Sequence, residues 1–295
     1  KDNYGDAYYN LGNCLFKLGS VSKAIANYKR AIKYKNTSVE IYNNLGNAYS
    51  SIGENKRAIK IYKRALELNF CYAEAHYNLG VVLCKLKKYR NAAGSFHQAI
   101  LIDNNKQHFF VSLTEALHEL SINFYDEKIA EYYLSILDNL TIPKPNLVVS
   151  KVINLIKIHP NIKTFLKDGE LFKDLDELYA YLCYLSQIPL FLRVLEVSSI
   201  PDIEIEEFLV KLRKAILLNY DNLKYKSKFF NLLKSLAFNC HINEYIFCQS
   251  PEEKNAVNKL EHNIELSFLQ NKKISKYKIV LLSCYQPLNL FSWCK

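Results

Sequence analysis

The chain is predicted to be all-α, a helical solenoid followed by a second α-helical domain. Three observations carry this. One set of residues recurs at a fixed step of 34 through the N-terminal third. Apolar residues from Leu147 onward keep helical rather than alternating spacing. Helix-start signals stand at the heads of apolar runs, Ser250-Pro251 with Glu253 among them. With 295 residues, 49% of them hydrophobic and 13% aromatic, the chain has material for a substantial core and for one or two domains.

The repeat comes first because it fixes the N-terminal architecture. Leu11-Gly12 recurs as Leu45-Gly46 and Leu79-Gly80, each time 34 residues on. Ala24, Ala58 and Ala92 keep the same step, as do Tyr28, Tyr62 and Phe96 and the alanines Ala31, Ala65 and Ala99. Four position classes in one phase are not chance. With Tyr8 and Leu15, this pattern resembles the tetratricopeptide repeat family, which implies antiparallel helix pairs stacked over residues 1–106. The resemblance implies a helix pair in which Gly12 and Ala24 allow close approach. Leu11 and Tyr28 supply the faces that stacking buries. Asn36, Phe70 and Asn104 stand where that family usually ends the second helix with Pro.

Each first helix is expected to begin near an acid, Asp6, Glu40 or Glu74, where a carboxylate complements the helix dipole or forms an acidic row on the inner wall. Asn10, Asn44 and Asn78, joined one turn later by Asn13 and Asn47, are expected on the concave face. Asn is a poor helix former, so such a row needs a reason. Side-chain amides pair with the backbone of an extended peptide whatever its sequence, which makes these five asparagines the candidate peptide-binding residues. The competing role is bonding from one repeat to the next. The family resemblance implies the peptide role, since related arrays use asparagine ladders for it. Members that clamp a chaperone's terminal carboxylate need two asparagines and several cations. Asn13 and Asn44 match the asparagines, but Tyr9, Glu74 and Asn78 stand where cations would be required, which leaves a carboxylate unpaired.

Beyond Asn104 the repeat decays. Leu113 and Leu117 keep phase, while Thr114 takes the Gly position and Asp126 the Ala position. A capping helix pair is expected over residues 107–142, with Pro143 and Pro145 as the boundary and an α-helical domain over 143–295. Pro201-Asp202 with Glu204 and Glu206 opens a helix whose apolar face runs Ile205, Phe208, Leu209, Leu212 and Ile216. Three segments here, Ile203–Glu206 with Leu212-Arg213, Leu236–Tyr245, and Cys284–Leu288, resemble a second pattern. It is the middle region of bacterial proteins that join tetratricopeptide repeats to an S-adenosylmethionine-dependent methyltransferase. That resemblance spans roughly residues 175–293 and implies a catalytic domain following this region. No Gly-rich loop after a strand is visible, so no cofactor and no catalytic residue is expected in the chain. A weaker alternative is a protein like the O-linked N-acetylglucosamine transferases, which also carry asparagine-rich arrays. Asn243, Glu244 and Tyr245 read as a satisfied buried network within an apolar helix rather than a catalytic trio. Cys240 and His241 point about 100° apart on a helix and do not cooperate.

Composition bounds the remaining possibilities. The formal charge is +10, but acids and bases are interspersed, and the basic patch of Lys85, Lys87, Lys88 and Arg90 is short. Nucleic acid is not the expected partner; a protein or peptide is. Eight cysteines show neither metal-ligand spacing nor the setting of a small disulfide scaffold, so no metal and a reducing, cytoplasmic location are expected. The longest apolar stretch, Leu178–Leu192, is interrupted by Ser186, Gln187 and Pro189, and reads as a buried helix with a break rather than a membrane span. The lack of any methionine predicts a segment of a longer protein. Its expected role is to recruit a protein substrate.

Overall fold

A computed structural model describes residues 2–34, 38–139, 145–167, 172–223, 226–244 and 249–287. Asn36, Pro143, Tyr245, Cys248, Leu288 and Phe291–Cys294 lie outside the described residues. Among the described residues every regular element is a helix, as the spacing predicts. The chain divides into two compact units, Lys1–Ser121 and Ile122–Lys295.

The first unit contains α1 (Asp2–Lys17), α2 (Val21–Tyr34), α3 (Val39–Ser51), α4 (Asn55–Leu68), α5 (Ala73–Lys85), α6 (Tyr89–Ile102) and α7 (Gln107–His118). The pairs α1/α2, α3/α4 and α5/α6 pack together, and each second helix packs on the next first helix. The invariant residues do what their chemistry dictates. A Cβ added at Gly12, Gly46 or Gly80 would lie 2.7, 2.5 or 2.6 Å from the ring of Tyr28, Tyr62 or Phe96. Glycine therefore lets the ring of one helix reach the backbone of its mate. Ala24, Ala31, Ala58, Ala65, Ala92 and Ala99 are fully buried where the helices touch. Leu45 and Leu79 are buried, but Leu11 is 48% exposed, contrary to expectation.

The turns inside each pair follow the same step. Gly19, Gly53 and Lys87 adopt φ of +75°, +80° and +56°. Each is followed by an N–H that reaches back across the helix end, Ser20 to Leu15 O, Glu54 to Tyr49 O and Lys88 to Leu83 O. This is a left-handed cap that satisfies carbonyls left over at the helix end.

In α7, Leu113 and Leu117 are buried as their phase requires, and the Thr114 hydroxyl donates to Phe110 O at 2.9 Å. The phase then slips. Asp126 is the N-cap of α8 (Glu127–Asp138), its carboxylate accepting from Lys128 and Ile129 N–H. By the unit division α8 belongs to the second unit, where it packs on α9 (Pro145–Lys157) and on α12 (Pro189–Val197). The helices of the expected capping pair thus lie in different units.

The second unit continues with α10 (Pro160–Lys167), α11 (Leu175–Leu185), α13 (Ile203–Asn219), α14 (Phe230–Ile242), α15 (Pro251–Leu269) and α16 (Lys276–Leu282). Its starts are strongly specified. Asp174 and Asp202 cap α11 and α13 by accepting from Glu177 and Ile205 N–H. Ser250 and Glu253 form the reciprocal capping box with Pro251 at the first helical position. The apolar stretch around Pro189 breaks as read, α11 and α12 meeting at 78°. Among the described residues no single helix is long and apolar enough to cross a membrane. Phe191, Val194 and Leu195 of α12 are buried, and α12 packs on α8, α9 and α14.

Candidate functional site

The first helices α1, α3 and α5 carry the asparagine row, and the fixed step brings its members side by side. Asn44 Nδ2 donates to Tyr9 Oη and to Asn13 Oδ1, both at 3.0 Å. One repeat on, Asn78 Nδ2 donates at 3.0 Å to Asn43, which occupies the position of Tyr9. The row therefore bonds from repeat to repeat. A second set ties each pair internally, Tyr28 donating to Asn13 Oδ1 at 2.9 Å and Tyr62 to Asn47 Oδ1 at 2.6 Å. Asn10 is exposed, and Asn13, Asn44, Asn47 and Asn78 are half-buried.

An amide offers two N–H donors and a carbonyl with two lone pairs. Asn44 commits both donors and keeps its oxygen, while Asn78 keeps one donor and its oxygen. What is left after the ladder forms is therefore rich in acceptors that suit the N–H groups of an extended backbone. The asparagines that matched the carboxylate clamp, Asn13 and Asn44, are bonded to one another.

Acids and phenols flank the row. Glu40 and Glu74 lie in the first turns of α3 and α5, as expected. Asp6 does not head α1, which starts at Asp2. Ser38 donates to Glu40 at 2.8 Å, and Lys106 pairs with Glu74 and with Asp103. Burial pushes the Tyr72 phenol up to about 12, helped by Glu74, Glu40 and Tyr9. Burial, with Tyr9, pushes Tyr28 up to about 12, and burial raises Tyr62 further. All three stay protonated donors near neutral pH.

In the second unit, Asn243 and Glu244 lie past the end of α14 rather than inside an apolar helix, and Glu244 is exposed at φ +51°. The network expected there is not built around Glu244. Sequence reasoning missed a different cluster. Arg213 of α13 is 5% exposed, and its Nη1 donates at 3.0 Å to Cys240 Sγ of α14. Cys284 lies against Cys240 and holds its thiol below the usual range, with Arg213 adding to this and burial opposing it. The Cys284 thiol is raised by Cys240 and by burial. His241, the next residue along α14, is exposed. Among the described residues no group of three or more His, Cys, Asp or Glu could hold a metal ion.

Residues 12–53 and 46–87 match the family model described as TPR repeat, and 73–106 match that described as tetratricopeptide repeat. The N-terminal unit carries tetratricopeptide repeats. Solved structures similar to the chain include MamA, 26% identical over 46% of this chain and 78% of that one, with a TM-score of 0.41. The Arabidopsis OM64 TPR domain is 19% identical over 40% of this chain and 98% of its own, at 0.40. The second TPR domain of human RPAP3, solved with an HSP70 peptide, is 24% identical over 38% and 94%, at 0.37. No curated protein matches the chain in sequence.

Within the TPR array, the signal for the pairing of Tyr28 with Asn13 and of Tyr62 with Asn47 is the shared spacing of 15 residues that recurs one repeat on. The corresponding positions 81 and 96 hold Val and Phe, and Phe96 has no hydroxyl.

Proposed function

We propose that the TPR array holds an extended segment of another protein on the face that carries Asn10, Asn13, Asn44, Asn47 and Asn78. The observation that carries the reading is the asparagine ladder. Asn13, Asn44, Asn47 and Asn78 are fixed by neighbours, and the amide groups left over match the repeating donors and acceptors of a peptide backbone. Preset amides lose little rotamer freedom on binding, which favours affinity. The alternative reading, which rests on the resemblance of the second unit alone, is that the chain is the non-catalytic half of a methyltransferase and recruits its protein substrate. The six cysteines among the described residues are free thiols, which suits a cytoplasmic setting.

The test separates contact from packing. Random linear peptides are selected on the full chain, and the best is labelled for fluorescence anisotropy. Asn10→Ala removes no side-chain hydrogen bond among the described residues, so it should leave the melting temperature unchanged and weaken binding several-fold. Adding Asn44→Ala and Asn78→Ala should weaken it tenfold or more, at about 0.5–1.5 kcal/mol per lost pair. Unchanged affinity in the folded triple variant would assign the asparagines to repeat packing alone.

A further inference from the structure

A cavity of about 430 Å³ opens between α13 and the end of α14. That volume falls within the roughly 300–1,000 Å³ of small-molecule sites. Its walls come from two of the segments singled out in the sequence, Glu206 to Arg213 and Asn239 to Glu244. Leu209 and Ile242 make it partly apolar, and two buried groups give its interior polarity. Arg213 places a guanidinium there at 5% exposure. Asn239 is 1% exposed, and its Nδ2 has no hydrogen-bond partner. Its own oxygen accepts only a long 3.5 Å contact from Asn243 Nδ2.

A buried N–H donor without an acceptor is costly and rare, and here the missing acceptor has room to enter. A guanidinium beside that donor selects an acceptor with negative charge, above all a planar carboxylate. The rim has the opposite sign, since Glu206 and Glu244 line the same cavity and are both exposed. Two rim carboxylates disfavour phosphate or a dicarboxylate and attract a cation. We propose that this cavity binds a small zwitterion of the amino-acid type. Its carboxylate is received by Arg213 and Asn239, and its ammonium group by Glu206 and Glu244. The site is independent of the peptide-binding reading of the TPR array.

The full chain is tested by thermal shift against the common L-amino acids one at a time, with acetate, succinate and inorganic phosphate as controls, and calorimetry follows on any hit. At least one amino acid should raise the melting temperature saturably while the controls do not. Asn239→Leu, close in shape but lacking the unpaired donor, should leave the unliganded chain as stable or more so and weaken binding at least tenfold. The exposed pair Glu206→Gln/Glu244→Gln should fold normally and weaken amino-acid binding several-fold, which keeps the test decisive if Asn239→Leu fails to fold. No stabilising amino acid, equal binding by acetate or phosphate, or full affinity in both variants would each overturn the proposal.

Discussion

At the scale of single residues, the repeats supply their own mutation series. Positions 47 and 62 hold Asn and Tyr joined at 2.6 Å, whereas the corresponding positions 81 and 96 hold Val and Phe. Removing one partner leaves half-buried Asn47 or buried Tyr62 with an unsatisfied polar group, while replacing both with apolar groups of similar shape is nearly neutral. Tyr62→Phe and Asn47→Val should therefore each cost about 1 kcal/mol, and the double variant should recover most of the loss. Urea unfolding of the four proteins measures this, and strictly additive losses would show that the bond is not coupled. Gly46, Ala58 and Tyr62 were legible because close packing between paired helices admits few residue types at each position. The asparagines were not, because an amide bonds equally well to a peptide or to the next repeat, and the sequence does not say which.

At the scale of elements, helix starts were legible wherever a side chain closes a local bond, as at Asp202 and Ser250, and the break at Pro189 followed from its missing N–H. The helix ends were less so. Two of the three turns use glycine at positive φ, but the third places Lys87 at φ +56° with the same reach-back bond from Lys88. A side chain in the left-handed region costs about 1–2 kcal/mol, partly offset by the larger unfolded-state freedom of glycine. Lys87 is exposed, so its replacement removes no buried packing. Lys87→Gly should raise stability by about 1 kcal/mol. The urea midpoint should rise with unchanged slope, and an unchanged or lower midpoint would mean that the turn carries no strain.

At the scale of the whole molecule, the solenoid was legible as far as the step of 34 persisted. Its end was not, because the boundary depends on which neighbours α8 finds, and local sequence shows only that Asp126 can start a helix. What the two units share is a buried neutral histidine. In the first, His76 is 5% exposed, its Nε2 lies 2.9 Å from Phe70 O, and burial lowers its pKa despite that carbonyl. In the second, His159 is 7% exposed, contacts the Tyr184 hydroxyl at 3.2 Å, and is lowered by burial against an opposing pull from Glu127. A group with a lower pKa in the folded state binds fewer protons there than in the unfolded chain. Stability is then fully present above the ordinary histidine value of 6.5 and falls as the pH drops below it. The melting temperature of each unfolding transition should therefore decline between about pH 7 and pH 5, before carboxylate titration dominates. Scanning calorimetry across that range should show a shallower decline for His76→Gln and for His159→Gln, each read against its own melting temperature at pH 7.5. A slope unchanged in both variants would place the acid sensitivity in other groups.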